Sequence, residues 1–409
     1  MSKLKKILLI TGLLAGTAIL AFLLFYIFKK TSPLQQLPPT VPTEEQPDGG
    51  QFIPAGQRTA TTTGVGGEQI GTLPTAGIIP GSQPSYYQPE LSKKIISDST
   101  NFVSLNKTGG VRYYNPNDGK FYTTLADGST KILSNQTFYN VQKTTWANKQ
   151  NKAILEFPDS SKILYDFDAQ KQVTLPKHWE EFSFAADGEK VAAKSLGLSP
   201  ENRWLVTIND DGTGTQLIEA MGENANKVII DWSPSQQAIG FTMTGEELGM
   251  YRKEILLVGL NGENFKSFVA EGLGFQPQWS PTGKKLLYSV YSNTSDFKPE
   301  IWVVNSYGQE IGSGRNNLQI NTWADKCTFA NDDTLYCAVP KSMPTGAGIN
   351  PAVAAGSTDT LYKIDLKSGL KTTVNTGGDF DMNNLSFDQT NNRLIFSDSG
   401  QTGVFEIKL

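Results

Sequence analysis

Few side chains in this sequence are equipped for catalysis or metal binding. Its 409 residues include two cysteines, Cys327 and Cys337, and one histidine, His178. A single histidine excludes metal sites built from histidine clusters, and it leaves room for only one Ser-His-Asp or Cys-His arrangement. We therefore expect no metal and no cofactor, and we interpret His178 as a surface residue rather than a catalytic base.

Acidic side chains offer a second route to catalysis. Glu180, Asp325 and Asp359 would supply acid and base groups to a lyase or hydrolase acting on a cell-envelope polymer. Their spacing does not single out a pair, and most surface carboxylates are simply solvated. The sequence therefore favours a protein that is not an enzyme.

The two cysteines flank the turn of one predicted hairpin, centred on Asp332. Residues facing each other across antiparallel strands have β-carbons about 4.5–5.5 Å apart, slightly wide for a disulfide until the strands pinch in. A disulfide between Cys327 and Cys337 would indicate an oxidising compartment outside the cytoplasm. Two reduced, buried cysteines are the alternative.

All of these residues fall within a repeated pattern. Each unit opens with an aromatic residue, continues with a polar turn and a strand-forming run, and is followed by a strand–turn–strand segment. The units recur roughly every 40 to 60 residues, and four short strands in each period are typical of a β-propeller blade. The opening aromatics are Trp146, Phe184, Trp232, Trp279, Phe329 and Phe387.

The number of blades follows from the strands that remain. A more divergent blade begins at residues 101–115, ahead of the first of these units, and makes seven in all. The last unit ends one strand short at Leu409, while residues 91–97 have no partner of their own. We therefore predict an all-β fold, a seven-bladed β-propeller of four-stranded blades over residues 91–409, with residues 91–97 closing the last blade.

Residues 1–30 are predicted to form a single transmembrane anchor. Residues 7–28 are uncharged and lie between lysine pairs, and as a helix they would span roughly 33 Å, enough for a bilayer core. A cleaved signal peptide is the alternative, although its apolar stretch would be shorter and end in small residues. More lysines precede this segment than follow it, which favours a cytoplasmic N-terminus and a propeller outside the cytoplasm.

Residues 31–90 are rich in Pro, Gly, Thr and Gln and show almost no apolar periodicity. Such a composition buries too little surface to offset the entropy of ordering, so we predict a flexible, disordered linker. Its average span is on the order of 40–50 Å, which would hold the propeller clear of the membrane surface.

The repeats carry a resemblance to a known family. The segment WSPTGKK that begins at Trp279, DWSP that begins at Asp231 and DGEK that begins at Asp187 resemble the TolB-like, or WD40-like, β-propeller repeat. The resemblance covers about residues 91–409 and implies the fold rather than a function. TolB itself has an additional N-terminal α/β domain, where this chain has the predicted helix and linker.

Propeller geometry places the loops between second and third strands on the same face as the connections between blades. The longest loops of this chain belong to that face, and loops on a rigid scaffold often carry binding groups. They are residues 196–202, 244–253, 292–300 and 341–359. Insertions that are merely tolerated there are the alternative.

Two sets of residues on this face are candidates for ligand binding. One would line the rim of the central channel, where a ligand or a partner chain would stack on the indoles; the alternative is that the indoles wedge between blades. The rim set is His178, Trp179, Glu180, Trp323 and Asp325. The set in the long loops is Glu246, Tyr251, Phe297, Lys298 and Asn350.

The leading hypothesis is a membrane-tethered, extracytoplasmic propeller that binds an unidentified protein or glycan without catalysis. A propeller enzyme acting on envelope polymer and a structural subunit of an envelope complex are the alternatives. The formal net charge of −4 argues against a nucleic-acid partner, because nucleic-acid binders normally present a basic face.

Overall fold

The computed structural model describes Phe22, residues 91–263 and residues 265–409. The predicted anchor at residues 7–28, apart from Phe22, and the predicted linker at residues 31–90 lie outside the described residues. Within the described part of the chain, no helix is long and apolar enough to cross a membrane.

The described residues form 28 strands, and short 3-10 helices stand between some of them. The strands are β1 (Lys93–Ile96), β2 (Asn101–Leu105), β3 (Val111–Asn115), β4 (Lys120–Thr124), β5 (Thr130–Ile132), β6 (Lys143–Trp146), β7 (Lys152–Glu156), β8 (Lys162–Asp166), β9 (Lys171–Leu175), β10 (Trp179–Phe184), β11 (Lys190–Leu196), β12 (Arg203–Asn209), β13 (Gln216–Ala220), β14 (Val228–Ile230), β15 (Gly240–Thr242), β16 (Lys253–Val258), β17 (Phe268–Ala270), β18 (Leu273–Trp279), β19 (Lys285–Tyr291), β20 (Glu300–Asn305), β21 (Asn316–Asn317), β22 (Cys327–Asn331), β23 (Thr334–Pro340), β24 (Asp359–Asp365), β25 (Lys371–Val374), β26 (Met382–Asp388), β27 (Arg393–Asp398) and β28 (Gln401–Lys408). The 3-10 helices are Pro200–Asn202, Gly222–Lys227, Asn293–Ser295, Gly308–Glu310, Ala324–Lys326 and Pro351–Ala354.

The strands assemble into seven antiparallel sheets of four strands each. Blades 1 to 6 take consecutive strands from β2 to β25, with the first strand of each blade at one edge of its sheet and the fourth at the other. Blade 7 combines β26, β27 and β28 with β1. The predicted seven-bladed propeller of four-stranded blades is therefore confirmed.

The ring is closed by the pairing of β1 with β28. Lys93 lies opposite Glu406, and Ile96 lies opposite Val404. At the neighbouring Gly403, which has a φ of 100°, an added β-carbon would lie 2.1 Å from the Ile96 carbonyl oxygen. Only glycine allows the two strands to approach this closely.

The aromatic residue that opens each predicted unit packs between blades. Trp146 of blade 2 lies edge-on against Phe121 of blade 1, with ring centroids 5.5 Å apart. Trp279 of blade 5 stacks on Phe241 of blade 4 at 5.0 Å. Burying such a side chain stabilises the fold by about 1.5–3 kcal/mol, so the aromatics that define the repeat in sequence also join one blade to the next.

Candidate functional site: the long-loop face

The four long loops join the second and third strands of blades 3 to 6. Residues 341–359, for example, leave β23 at Pro340 and reach β24 at Asp359. The equivalent connections in blades 1, 2 and 7 are tight turns. We call the side of the propeller that carries the long loops the long-loop face.

The loops of blades 4, 5 and 6 touch one another and form one surface. The rings of Tyr251 and Phe297 pack edge to face with centroids 6.2 Å apart, linking blade 4 to blade 5. The amide of Gly346 donates to the Asp296 carbonyl oxygen at 2.9 Å, and the amide of Gly348 donates to the Phe297 carbonyl oxygen at 2.7 Å. We call this joined surface, residues 244–253, 292–300 and 341–359, the platform.

Large apolar side chains stand exposed on the platform. Met250 is 76% exposed and Ile349 is 60% exposed, while Leu248 and Val353 are also open to solvent. Leu198, on the long loop of blade 3, is fully exposed. Because scattered apolar residues are common on surfaces, the informative feature here is their concentration on loops that hold one another in place.

The predicted loop residues do not all have the same role. Tyr251 and Phe297 make the contact between blades 4 and 5. The Asn350 side chain accepts from the Ala352 amide at 3.3 Å and so begins the 3-10 helix Pro351–Ala354. Lys298 lies 3.9 Å from the Asp296 carboxylate, and the backbone of Glu246 donates to Glu254. Three of the five residues thus shape their loops locally.

The predicted rim residues fall into two separate groups. His178, Trp179 and Glu180 belong to blade 3, whereas Trp323 and Asp325 lie where the chain enters blade 6. Trp179 is buried among apolar residues of blades 2 and 3, as the wedge alternative has it, and Trp323 is half-buried. The two groups therefore lie on blades that are not neighbours in the ring.

Glu180 lines a pocket of about 610 Å³ beside the long loop of blade 3. The adjacent Glu181 accepts from the buried ammonium of Lys194 at 2.7 Å. His178 is exposed and lies 3.2 Å from the Ser195 hydroxyl. The pocket therefore holds the exposed Glu180 carboxylate beside the paired carboxylate of Glu181, and Arg203 and Glu223 also line it.

Asp359 is enclosed by a charge cluster rather than open to a substrate. Its carboxylate lies 3.0 Å from the Lys326 ammonium, which is also 2.8 Å from the Asp381 carboxylate. The Asp359 side chain has no exposed surface and accepts from the Met382 amide at 2.6 Å. Desolvation raises the pKa of Asp359, and the charge of Lys326 opposes that shift. The cluster pins the end of the 341–359 loop to blade 7.

Asp325, next to this cluster, is exposed, yet loss of solvation raises its pKa and Lys326 again opposes the shift. Asp325 and Asp359 thus both experience the charge of Lys326, while Glu180 is on blade 3.

In every blade a polar residue directly precedes the position that the repeat aromatic occupies at or near the end of the innermost strand, a position filled by Leu105 in blade 1. The repeat pattern did not single these residues out. The Ser183 hydroxyl accepts from the Trp232 amide of the next blade at 2.9 Å, and the Gln278 amide donates to the Cys327 carbonyl oxygen at 3.1 Å. Asp231 is the acid among them, and burial raises its pKa to about 7. The seven residues are Ser104, Thr145, Ser183, Asp231, Gln278, Thr328 and Ser386. Comparing the residue before each repeat aromatic would have found six of them, whereas Ser104 precedes Leu105 and has no aromatic marker.

Cys327 and Cys337 lie directly opposite each other on β22 and β23 and form a disulfide, with α-carbons 4.0 Å apart. Both are buried, at 1% and 0% exposure. The bond therefore joins the two innermost strands of blade 6.

Comparisons with known proteins add to the fold and not to the chemistry. No protein-family model matches the chain, and no curated protein matches it. The solved β-propeller domain of Cps50 (Swd1) from Myceliophteria thermophila is similar over 78% of this chain and 99% of its own, with 12% identity and a TM-score of 0.52. The likeness shows the fold alone.

Two oligogalacturonate lyase structures are similar at the same level. The enzyme from Vibrio parahaemolyticus matches 78% of this chain and 93% of its own at 10% identity, with a TM-score of 0.52. A structure described as oligogalacturonate lyase in complex with manganese matches 78% of this chain and 97% of its own at 11% identity, with a TM-score of 0.50. In the described residues here, no group of three or more His, Cys, Asp or Glu side chains is placed to hold a metal.

Proposed function

We propose that this chain is a membrane-tethered, extracytoplasmic scaffold that binds a partner protein through the platform and does no chemistry itself. The observation that carries the proposal is the joining of three long loops by the Tyr251–Phe297 contact and the backbone bonds of Gly346 and Gly348. Loops that are ordered against each other lose less entropy when a partner binds.

The exposed apolar residues favour a protein as the partner. Apolar groups that stand together on a surface usually mark a protein interface, and a few such anchors carry most of the binding energy. Met250 and Ile349 are the most exposed apolar side chains of the platform, so we assign them as anchors. Tyr251 and Phe297, which hold the loops together, act as their support.

The location outside the cytoplasm is supported by two independent features. The apolar stretch at residues 7–28 with its lysine bias favours a tether with a cytoplasmic N-terminus. The Cys327–Cys337 disulfide suits an oxidising compartment.

Site-specific photo-crosslinking in native membranes tests the platform. A photoreactive amino acid is placed in the full-length chain at Met250 or at Ile349, and crosslinked proteins are identified by mass spectrometry. Matched control positions are Leu217 and Leu370, which are 61% and 62% exposed and lie on other parts of the propeller. We expect the same partner from positions 250 and 349 and none from the controls.

A second arm measures the energy of the contact. Met250→Ser with Ile349→Ser should weaken co-purification of the crosslinked partner by about tenfold or more, because truncated anchors typically cost over 1 kcal/mol each. Leu217→Ser with Leu370→Ser should leave it unchanged. Crosslinks shared by all four positions, or equal loss in both double variants, would contradict the proposal.

A further inference from the structure

The innermost strands alternate between two backbone forms around the ring. In blades 1, 3, 5 and 7 the register shifts near the start of the strand, and one residue takes a positive φ. These residues are Phe102 (54°), Glu181 (52°), Gly274 (66°) and Asn384 (52°). In blades 2 and 4 the pairing is regular, and in blade 6 it is regular at this end of the strand.

An odd number of blades breaks the alternation at one place. Blades 7 and 1 are both bulged and stand side by side, so Asn384 and Phe102 are the bulge residues of neighbouring strands. A bulge bends its strand and turns a side chain aside, and bulges are common next to binding sites. Positive φ on residues other than glycine is strained and concentrates at functional positions.

A pocket of about 430 Å³ lies between these two bulges on the long-loop face. Asn101, Asn383 and Asn384 line it, together with Ser, Thr, Gln and Gly residues of the strand ends and turns. Asp398 is the one charged lining residue, and no aliphatic or aromatic residue takes part. The volume of the pocket falls within the usual range for small-ligand sites.

The polar groups of the pocket are already held in place. The amides of Asn383 and Asn384 donate to the Ser399 and Ser397 hydroxyls at 2.5 and 2.9 Å. The Asp398 carboxylate accepts from the Asp381 amide at 2.7 Å and from the Gly400 amide at 3.1 Å. Because these bonds use the side-chain nitrogens of the two asparagines, their amide oxygens are left to accept from a ligand.

We infer that this pocket binds a neutral sugar unit. Neighbouring hydroxyls of a sugar each donate and accept, which matches walls of hydroxyl, amide and carboxylate groups. A strongly charged ligand would find one carboxylate and no cation among the lining residues. The site is separate from the platform and goes beyond the proposed protein scaffold, because it would place glycan binding at the junction of the first and last blades.

Saturation-transfer difference NMR on the full-length protein tests the inference, in a detergent without a sugar headgroup. The probes are cellobiose, N,N′-diacetylchitobiose and, as a charged comparison, digalacturonate. Asn384→Gly keeps the positive φ and removes the amide, and we expect it to weaken neutral-disaccharide binding by about tenfold, the loss of roughly two hydrogen bonds. Asn101→Trp fills the pocket and should abolish binding.

Asn140→Gly is the matched control, because Asn140 is an exposed asparagine with a φ of 55° outside the pocket. It should bind like the unaltered protein, and thermal unfolding confirms that every variant is folded. Binding by digalacturonate alone, failure of both neutral disaccharides to bind, or neutral binding that survives both pocket variants would overturn the inference. Failure of the platform crosslinks would not affect these outcomes, so the two proposals are tested separately.

Discussion

The guanidinium of Arg112 lies 4.5 Å from the centre of the Trp146 ring and joins blade 1 to blade 2. Arg112 has no exposed surface and donates to the carbonyl oxygens of Gln150, Leu105 and Ala147 at 2.8, 2.8 and 3.0 Å. Burial lowers its pKa to about 10, so it stays charged at neutral pH. Its cross-strand partner is Ser104. At the position equivalent to Arg112, on the second strand, the other blades have no charged residue.

Arg112→Met should lower the free energy of unfolding by about 3 kcal/mol, because buried carbonyl groups would lose their donors. Urea denaturation measures the change. Arg252→Met is the control, since Arg252 is half exposed and pairs with Glu271 at the surface, and such a pair contributes about 0–1 kcal/mol. Equal losses in the two variants would mean that the link between blades 1 and 2 is not stabilising.

Asp231 should make stability fall as the pH rises. Its folded pKa of about 7 exceeds its ordinary value of 3.8, so between these values the folded protein binds more protons than the unfolded chain. Asp231→Asn should remove this slope, and the variant should gain in melting temperature over the unaltered protein from about pH 4 to about pH 7.

Asp127→Asn is the control, because the pKa of Asp127 is shifted in the opposite direction to that of Asp231. Hydrogen bonds from Ser129 lower the pKa of this exposed carboxylate, so its contribution is present above pH about 4 and is lost on acidification. Its effect on the melting temperature should therefore not grow between pH 5 and pH 7. A pH slope that persists in Asp231→Asn would assign the titration to another group.

Removing the disulfide should cost about 3 kcal/mol of stability, the loop-closure entropy expected for its short loop. Cys327→Ala with Cys337→Ala makes this change without leaving a buried hydroxyl. Thiol labelling of the denatured, unreduced protein should modify neither cysteine, and prior reduction should expose both. Full labelling without reductant would show that the bond is absent and would remove its support for an oxidising compartment.

Gly348→Ala should detach the 341–359 loop from blade 5. A β-carbon at Gly348 would lie 2.5 Å from the β-carbon of Tyr291, too close to be accommodated without a shift. Limited proteolysis should then cut the loop about tenfold faster, because a separation of this kind costs over 1 kcal/mol of local stability.

Gly356→Ala is the control within the same loop, where an added β-carbon meets no atom within 4 Å. Its positive φ makes that alanine mildly strained but does not press on blade 5. If both variants are cut at the same rate, the contact with Tyr291 does not hold the platform together.

Most of the fold could be predicted from the sequence because the repeat reflects how the blades pack. Trp146, Trp232 and Trp279 recur because each fills the space between blades, so their spacing predicted the blades, and the missing fourth strand of the last blade predicted the closure by β1. The platform was only partly predictable. The long loops were visible, but the contact of Tyr251 with Phe297 depends on two loops meeting in space.

The pocket between blades 7 and 1 gave no sequence signal of this kind. Asn384 tolerates a positive φ, but Phe102 is a bulky residue that rarely takes one, so propensity alone argues against its bulge. For Trp179 the sequence left two alternatives open, because a position at the start of a strand suits both a rim residue and an indole buried between blades. In the structure, both Phe102 and Trp179 pack against residues of the neighbouring blade, and sequence propensity does not include such contacts.

The pairing of β1 with β28 also has a mechanical meaning. Blades 1 to 6 are each built from a continuous stretch of chain, whereas blade 7 alone is shared between distant segments. Tension on the chain ahead of Lys93 therefore reaches the bonds between β1 and β28 before the hydrogen bonds within any other blade. Under such tension, the ring would open at blade 7, where β1 separates from β28.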